Sequence, residues 1–238
     1  MNSSVKPDVA MILAAGRGER MQPLTENTPK PMLKVGGKPL IQYQVEALAR
    51  AGFTQLVINY ASFGEQIETH LGDGGKWGVE IIYSPEAGMP LETGGGIYKA
   101  LPLFGDKPFL VVNADVWTAY DYSGISIGAE MLAHLVLVQN PPHNRSGDFA
   151  LREDMIVNDE TECFTFSGIG VYHPKFFSDC QTGAFRLAPL LSSKAEDGVV
   201  SAELYEGLWV DVGTPRRLKA LDAALKGGLM NKTLGNTE

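Results

Sequence analysis

Thiol and imidazole ligands are scarce in this chain. It has two cysteines, Cys163 and Cys180, and four scattered histidines, His70, His134, His143 and His173. Neither a disulfide framework nor a thiolate or imidazole metal site fits that inventory. No stretch approaches the roughly 18 apolar residues that a membrane span needs, so no membrane association is expected. The longest clean apolar run, Val9–Ala15, opens into a Gly-rich loop and reads as a strand, not as a secretory signal. Basic residues are the minority, 20 against 28 acidic for a net charge of −8, which argues against broad nucleic-acid binding. What remains is 44% hydrophobic and 20% charged residues over 238 positions, enough to bury a core and to exclude disorder as the main state. A cytoplasmic protein, a monomer or a small homo-oligomer, is the expectation.

Residues 16–38 reverse the overall sign. Arg17, Arg20, Lys30, Lys34 and Lys38 face only Glu19 and Glu26 there. A solvated charge run would look the same, but the preceding strand favours a site for a small anion. Such a strand delivers Gly16 and Gly18 where backbone must approach a ligand, and successive N–H groups can cradle phosphate oxygens. Arg20 adds a forked cation and Lys30 a point charge for a polyphosphate. Two common phosphate motifs fail. A dinucleotide fingerprint needs glycine at Met21, and a P-loop ending at Gly37-Lys38 needs glycine at Met32 and Ser or Thr at Pro39.

Apolar runs alternate with helical patterns through residue 113. Strands are expected at residues 9–14, 55–60, 79–83 and 108–113, with helices at 39–51, 64–71 and 93–101. This rhythm predicts an α/β fold, a Rossmann-like, mostly parallel sheet flanked by helices. After Asp121 strands dominate, at 132–138, 148–152, 164–172 and 199–205. They are read as a mixed or antiparallel extension of the same sheet. A last short strand at 208–212 leads to Thr214-Pro215, an N-cap and first-turn proline for a helix ending near Gly227. One domain over 1–226 is expected, with a frayed tail at 227–238.

Four segments, in order, resemble the sugar-phosphate nucleotidyltransferase family. They are the loop carrying Leu13, Gly16, Gly18, Arg20, Pro23-Leu24-Thr25 and Pro29-Lys30; Glu92-Thr93-Gly94; Asn113-Ala114-Asp115; and Trp209-Val210-Asp211-Val212-Gly213-Thr214. The resemblance implies that residues Leu13, Ala14, Ala15, Gly16, Arg17, Gly18, Glu19 and Arg20, with Lys30, wrap a nucleoside triphosphate. Thr93 and Gly94 would lie against the nucleobase, and Asn113 beside the nucleotide. Asp115 and Asp211 would hold Mg²⁺, and Arg20, Lys30, Asp115 and Asp211 would form the catalytic set. Gly147 and Asp148 would touch the sugar, although a hairpin turn accounts for them almost as well. Taken alone, Asp115 could be a turn former and Asp211 a loop residue ahead of the Thr214 cap.

The implied reaction joins a nucleoside triphosphate and a sugar 1-phosphate, releasing pyrophosphate. Such catalysis is positioning and charge neutralisation, with no covalent nucleophile. Residues 90–96, 134–138, 147–149, 164–168 and 184–191 are most like the family's uridylyltransferases of cell-wall recycling that use UTP and N-acetylmuramate 1-phosphate. Mannose-1-phosphate guanylyltransferases share several of these segments, and a catalytically silent nucleotide sensor is a further alternative. The family's usual glycine beside the metal aspartate is Ala114 here. Its Glu-Lys-Pro segment is missing, with Asp159-Glu160-Thr161-Glu162 nearby, so the cation for the sugar phosphate is unassigned among Arg145, Lys175 and Arg186. No second acyltransferase activity is expected.

Overall fold

Apolar runs too short for helices become strands buried on both faces. The computed structural model describes residues 4–86, 91–159 and 162–227. It forms β1 (Val9–Leu13), β2 (Gln55–Tyr60), β3 (Glu80–Pro85) and β4 (Phe109–Asn113). They pair in parallel in the order β3-β2-β1-β4, with Ile12 opposite both Ile58 and Val112. Side-chain alternation then assigns each residue to a layer. Ile12, Ile58 and Val112 pack against Ile41, Val45 and Leu48 of α1 (Leu40–Arg50) and Ile67 of α2 (Gly64–Leu71). Met11, Val57 and Val111 face the other way, toward Ile97 of α3 (Glu92–Ala100) and Leu191 of α4 (Leu187–Glu196).

The expected extension is present and mixed. It comprises β5 (Ala133–Val138), β6 (Phe149–Arg152), β7 (Met155–Val157), β8 (Cys163–Tyr172) and β9 (Val200–Tyr205). β8 runs antiparallel to β4, with Ile169 opposite Val112, and β5 lies antiparallel to β8 and parallel to β9. The hairpin β6–β7 lies against the start of β8, with Phe149 opposite Phe164. Helix α4 and strand β7 were not expected. Pro189 in α4 reads as a breaker, but it falls in the first turn, where a missing N–H costs nothing. The first helix begins at Leu40, with Pro39 as its N-cap residue. Thr214 caps α5 (Pro215–Lys226) as expected, its Oγ1 accepting the Arg217 N–H at 3.3 Å. Pro90, Glu160, Thr161 and most of the expected frayed tail, 228–238, lie outside the described residues.

A third, smaller core ties the N-terminal loop to the end of the chain. Met21 from the loop packs with Leu33, Val35 and Leu40, with Trp117 and Val212, and with Leu221 of α5. All seven are 8% exposed or less. Trp117 and Val212 sit on or next to a two-strand ribbon, Val116–Thr118 against Trp209–Asp211. Truncation here leaves a cavity that rigid neighbours cannot fill. Leu221→Ala is therefore expected to destabilise the fold by about 2–4 kcal/mol. Urea unfolding should show a lower midpoint with an unchanged slope, and an unaltered midpoint would contradict this packing.

Candidate active site

The carboxyl edge of the parallel strands opens into a cavity of about 850 Å³. β1 and β4 end side by side there, Leu13 opposite Asn113, and their loops diverge. Open α/β sheets place ligands at such an edge. Residues 13–21, Lys30, Thr93, Asn113 and Asp115 line the cavity.

The loop is folded by its own backbone. Gly18 sits at φ 65°, accepts the Met21 N–H at 2.8 Å and receives the Thr25 hydroxyl at 2.8 Å. A Cβ at Gly18 would lie 3.0 Å from the Thr25 methyl and 3.2 Å from Lys30 Cβ, so glycine is required twice over. Among the described residues, the N–H groups of residues 15–18 make no bond to the protein. They are available to an anion. Arg17 and Glu19, both at the cavity, form an exposed 3.6 Å pair.

Sequence reasoning missed what anchors the loop. Ala14 N–H donates to Asn59 Oδ1 at 2.9 Å, and Asn59 Nδ2 donates to Glu86 Oε1 at 2.8 Å. The second Glu86 oxygen accepts the Leu91 N–H at 3.0 Å. Asn59 and Glu86 are buried and line the cavity. The one available signal was a polar residue at the inner end of the apolar strand 55–60. Thr93 lines the cavity, but Gly94 does not: its N–H goes to the Phe185 carbonyl at 2.9 Å and its α-carbon lies under the Phe185 ring. Glu92 stands at the cavity in the left-handed region, at φ 59°.

The two aspartates meet although 96 positions separate them in sequence. The ribbon pairs Asp211 with Val116, and the Val212 N–H donates to the Asp115 carbonyl at 2.8 Å. Lys30 Nζ bonds the Asp115 carboxylate. Asp211 holds His143 Nε2 at 2.9 Å on one oxygen and Arg217 Nη2 at 3.0 Å on the other. Burial raises the Asp211 carboxyl above its ordinary value, outweighing the pull of Arg217 and His143, and the Asp115 carboxylate pushes it further up. The two carboxylates therefore feel each other's charge. Ala114, which stands where the family has glycine, is 1% exposed, packs in the core with α1 and also borders the cavity.

Gly147 and Asp148, like Asp211, are not among the residues that line the cavity. Gly147 turns at φ 68°, and Asp148 accepts the Phe166 N–H at 2.8 Å and Asn144 Nδ2 at 3.1 Å. Both shape the loop that delivers His143. Arg186 points to Glu92 at 4.0 Å, and none of Arg145, Lys175 and Arg186 pairs with either aspartate.

Comparison with known proteins agrees with this geometry. The profile described as nucleotidyl transferase matches residues 9–149. The chain belongs to the nucleotidyl transferase family. It is 52% identical over 223 residues to the N-acetylmuramate alpha-1-phosphate uridylyltransferase of Neisseria meningitidis, covering 90% of this chain and 96% of that one. It is 34% identical over 240 residues to the enzyme of the same name from Caulobacter vibrioides, covering 93% and 98%. Among solved structures, a putative glucose-1-phosphate thymidylyltransferase from Bacillus anthracis shares the fold, with a TM-score of 0.80 at 21% identity over 92% of this chain and 95% of that one. This nucleotidyltransferase thus keeps the family's fold and its sugar-phosphate branch.

A metal would find two carboxylates, not a cage. Among the described residues no group of three or more His, Cys, Asp and Glu is arranged for an ion. That donor set fits Mg²⁺, which takes one or two carboxylates and completes its shell with waters and phosphate oxygens. Gly213 lies beneath this cluster: a Cβ there would fall 2.0 Å from Arg217 Nη2 and 3.3 Å from Asp211 Oδ2. Gly213→Ala is expected to push the guanidinium off Asp211 at a stability cost under about 1 kcal/mol, a fall in Tm of no more than about 2–4 °C at this length. Turnover should fall well below wild type. A crystal structure of the variant with the pair intact would contradict the expectation.

Proposed function

We propose that this nucleotidyltransferase joins UTP and N-acetylmuramate 1-phosphate to give UDP-N-acetylmuramate and pyrophosphate, a step of cell-wall recycling. The observation that carries the substrate choice is 52% identity spanning 90% of this chain and 96% of the Neisseria enzyme. An oxygen of the sugar phosphate attacks the α-phosphorus; a new P–O bond forms as the bond to the β-phosphate oxygen breaks, and its electrons leave on pyrophosphate. No proton need move, because the attacking phosphate is already anionic near neutral pH. Use of UTP supports a cytoplasmic setting, and we take residues 1–226 as one catalytic domain.

The free N–H groups of residues 15–18 receive triphosphate oxygens, with Arg20 and Lys30 as cations. Thr93 and Asn113 border the nucleoside, while Gly94 acts from behind by seating α3 on Phe185. Asp115 and Asp211 would hold Mg²⁺, which when bound supplies charge neutralisation at the phosphates. Lys30, which bonds Asp115 and lines the cavity, would offer its charge to the triphosphate. Gly147 and Asp148 serve the sugar side by fixing the loop around His143.

A matrix of nucleoside triphosphates against sugar 1-phosphates, read by pyrophosphate release, tests the pairing. UTP with N-acetylmuramate 1-phosphate should give the highest kcat/KM; a preference for GTP with mannose 1-phosphate would replace the substrates and leave the reaction standing. Within that assay Lys30→Ala should lose at least about one to two decades of kcat/KM, the worth of a charge-assisted contact. Its melting temperature should stay near wild type, since Asp115 remains partly exposed. Asp115→Asn and Asp211→Asn should each cripple turnover and respond to added Mg²⁺. Their combination should cost much less than the sum, because both act through one ion. Additive losses would separate the two carboxylates functionally.

A further inference from the structure

Every cation on the phosphate loop belongs to the nucleotide side of the reading above. The second substrate carries a phosphate monoester, close to a dianion at neutral pH, and needs a cation of its own. Arg217 lies just behind the cavity wall formed by Gly213, paired with Asp211. It projects from the first turn of α5, its backbone fixed by the Thr214 cap and by Leu221 in the third core. Its guanidinium lies over Gly213, which lines the cavity. Nη2 engages Asp211 Oδ2 at 3.0 Å, while Nε is buried and has no hydrogen-bond partner. A buried, unpaired N–H on a charged group is costly and calls for a partner, which a water, an ion or an arriving substrate oxygen can supply.

The charges around it are matched in pairs. Lys30 bonds Asp115 and Arg217 bonds Asp211, so each carboxylate carries a cation from the chain itself. His143 holds the remaining Asp211 oxygen at 2.9 Å, which keeps that carboxylate in place when Arg217 lets go. An arginine fork suits this exchange. Its planar N–H groups match two oxygens of a phosphate as well as they match a carboxylate, which a lysine cannot do.

We propose that Arg217 receives the phosphate of the incoming sugar 1-phosphate, exchanging Asp211 for two phosphate oxygens through Nε and a terminal nitrogen. The proposal rests on the nucleotidyl-transfer reading. It supplies the cation that Arg145, Lys175 and Arg186 do not place at the aspartates, and it gives Arg217 a part in binding one substrate and not the other.

The test is a split between the two substrates. Arg217→Ala and Arg217→Lys are assayed with UTP saturating and N-acetylmuramate 1-phosphate varied, and then the reverse. Calorimetric titration of UTP with Mg²⁺ into each variant gives a readout apart from turnover. The KM for the sugar phosphate should rise about 10- to 100-fold in the alanine variant. It should rise less in the lysine variant, which keeps the charge and loses the fork. UTP affinity should stay within about threefold by calorimetry, and guanidinium salt should partly rescue the alanine variant by lowering the same KM. A matching loss of UTP affinity would assign Arg217 to the nucleotide and overturn the proposal. So would a fall in kcat with both KM values unchanged, the mark of a residue that only braces Asp211. If the alanine variant does not fold, the lysine variant decides by the same criteria. Failure of the wild-type protein to turn over any pair in the substrate matrix would instead remove the reaction itself, a result distinct from either.

Discussion

One short antiparallel ribbon makes the candidate centre possible. Three residues, Val116–Thr118, pair with three others, Trp209–Asp211, and that register sets Asp115 beside Asp211. Two carboxylates at such proximity repel, and burial worsens the repulsion. The fold answers with hydrogen-bonding side chains from three unconnected places: Lys30 from the N-terminal loop, His143 from the loop before β6, and Arg217 from α5. Because each side chain is delivered by an element with its own packing, the cluster depends on the whole molecule being assembled correctly. The third core does this joining with apolar contacts that carry no chemistry themselves.

The division of labour follows the sheet. Its parallel half supplies a carboxyl edge where β1 and β4 open a cavity, and the Asn59–Glu86 pair braces the loop over it. Its mixed half contributes the turns that reach across. Asp148 illustrates this: its carboxylate ties Asn144 to β8 and so fixes the loop that carries His143.

The legibility of the sequence tracked distance along the chain. Strand 55–60 and helix 64–71 were read with correct ends, because local patterns of apolar residues, glycines and caps decide them. Helix α4 was hidden by Pro189, a residue whose meaning depends on whether it falls in a first turn or a later one. Lys30, Asp115 and Asp211 stood out through family resemblance, and each lies in the cluster where the loops converge. His143 and Arg217 gave no local signal. One is a histidine in a Pro- and Asn-rich loop and the other the second of two adjacent arginines, and only the folded loop and the capped α5 bring them to Asp211. Gly147 and Asp148 are named through resemblance to a sugar site, and in the structure Asp148 also ties Asn144 to Phe166.

The third core has a consequence for how the protein is made. A chain emerges from the ribosome N-terminus first, and early segments can fold before later ones exist. The strands β1 to β4 are complete by residue 113, so the parallel sheet and its open edge can form early. Met21 and Trp117 must wait for Val212 and Leu221, and Asp115 waits for the strand that ends at Asp211. During that interval the nascent chain carries the open edge of the sheet without the pairing that sets Asp211 beside Asp115. The third core and the aspartate cluster are complete only when the last helix docks, so the C-terminal end of the chain closes what its N-terminal end begins.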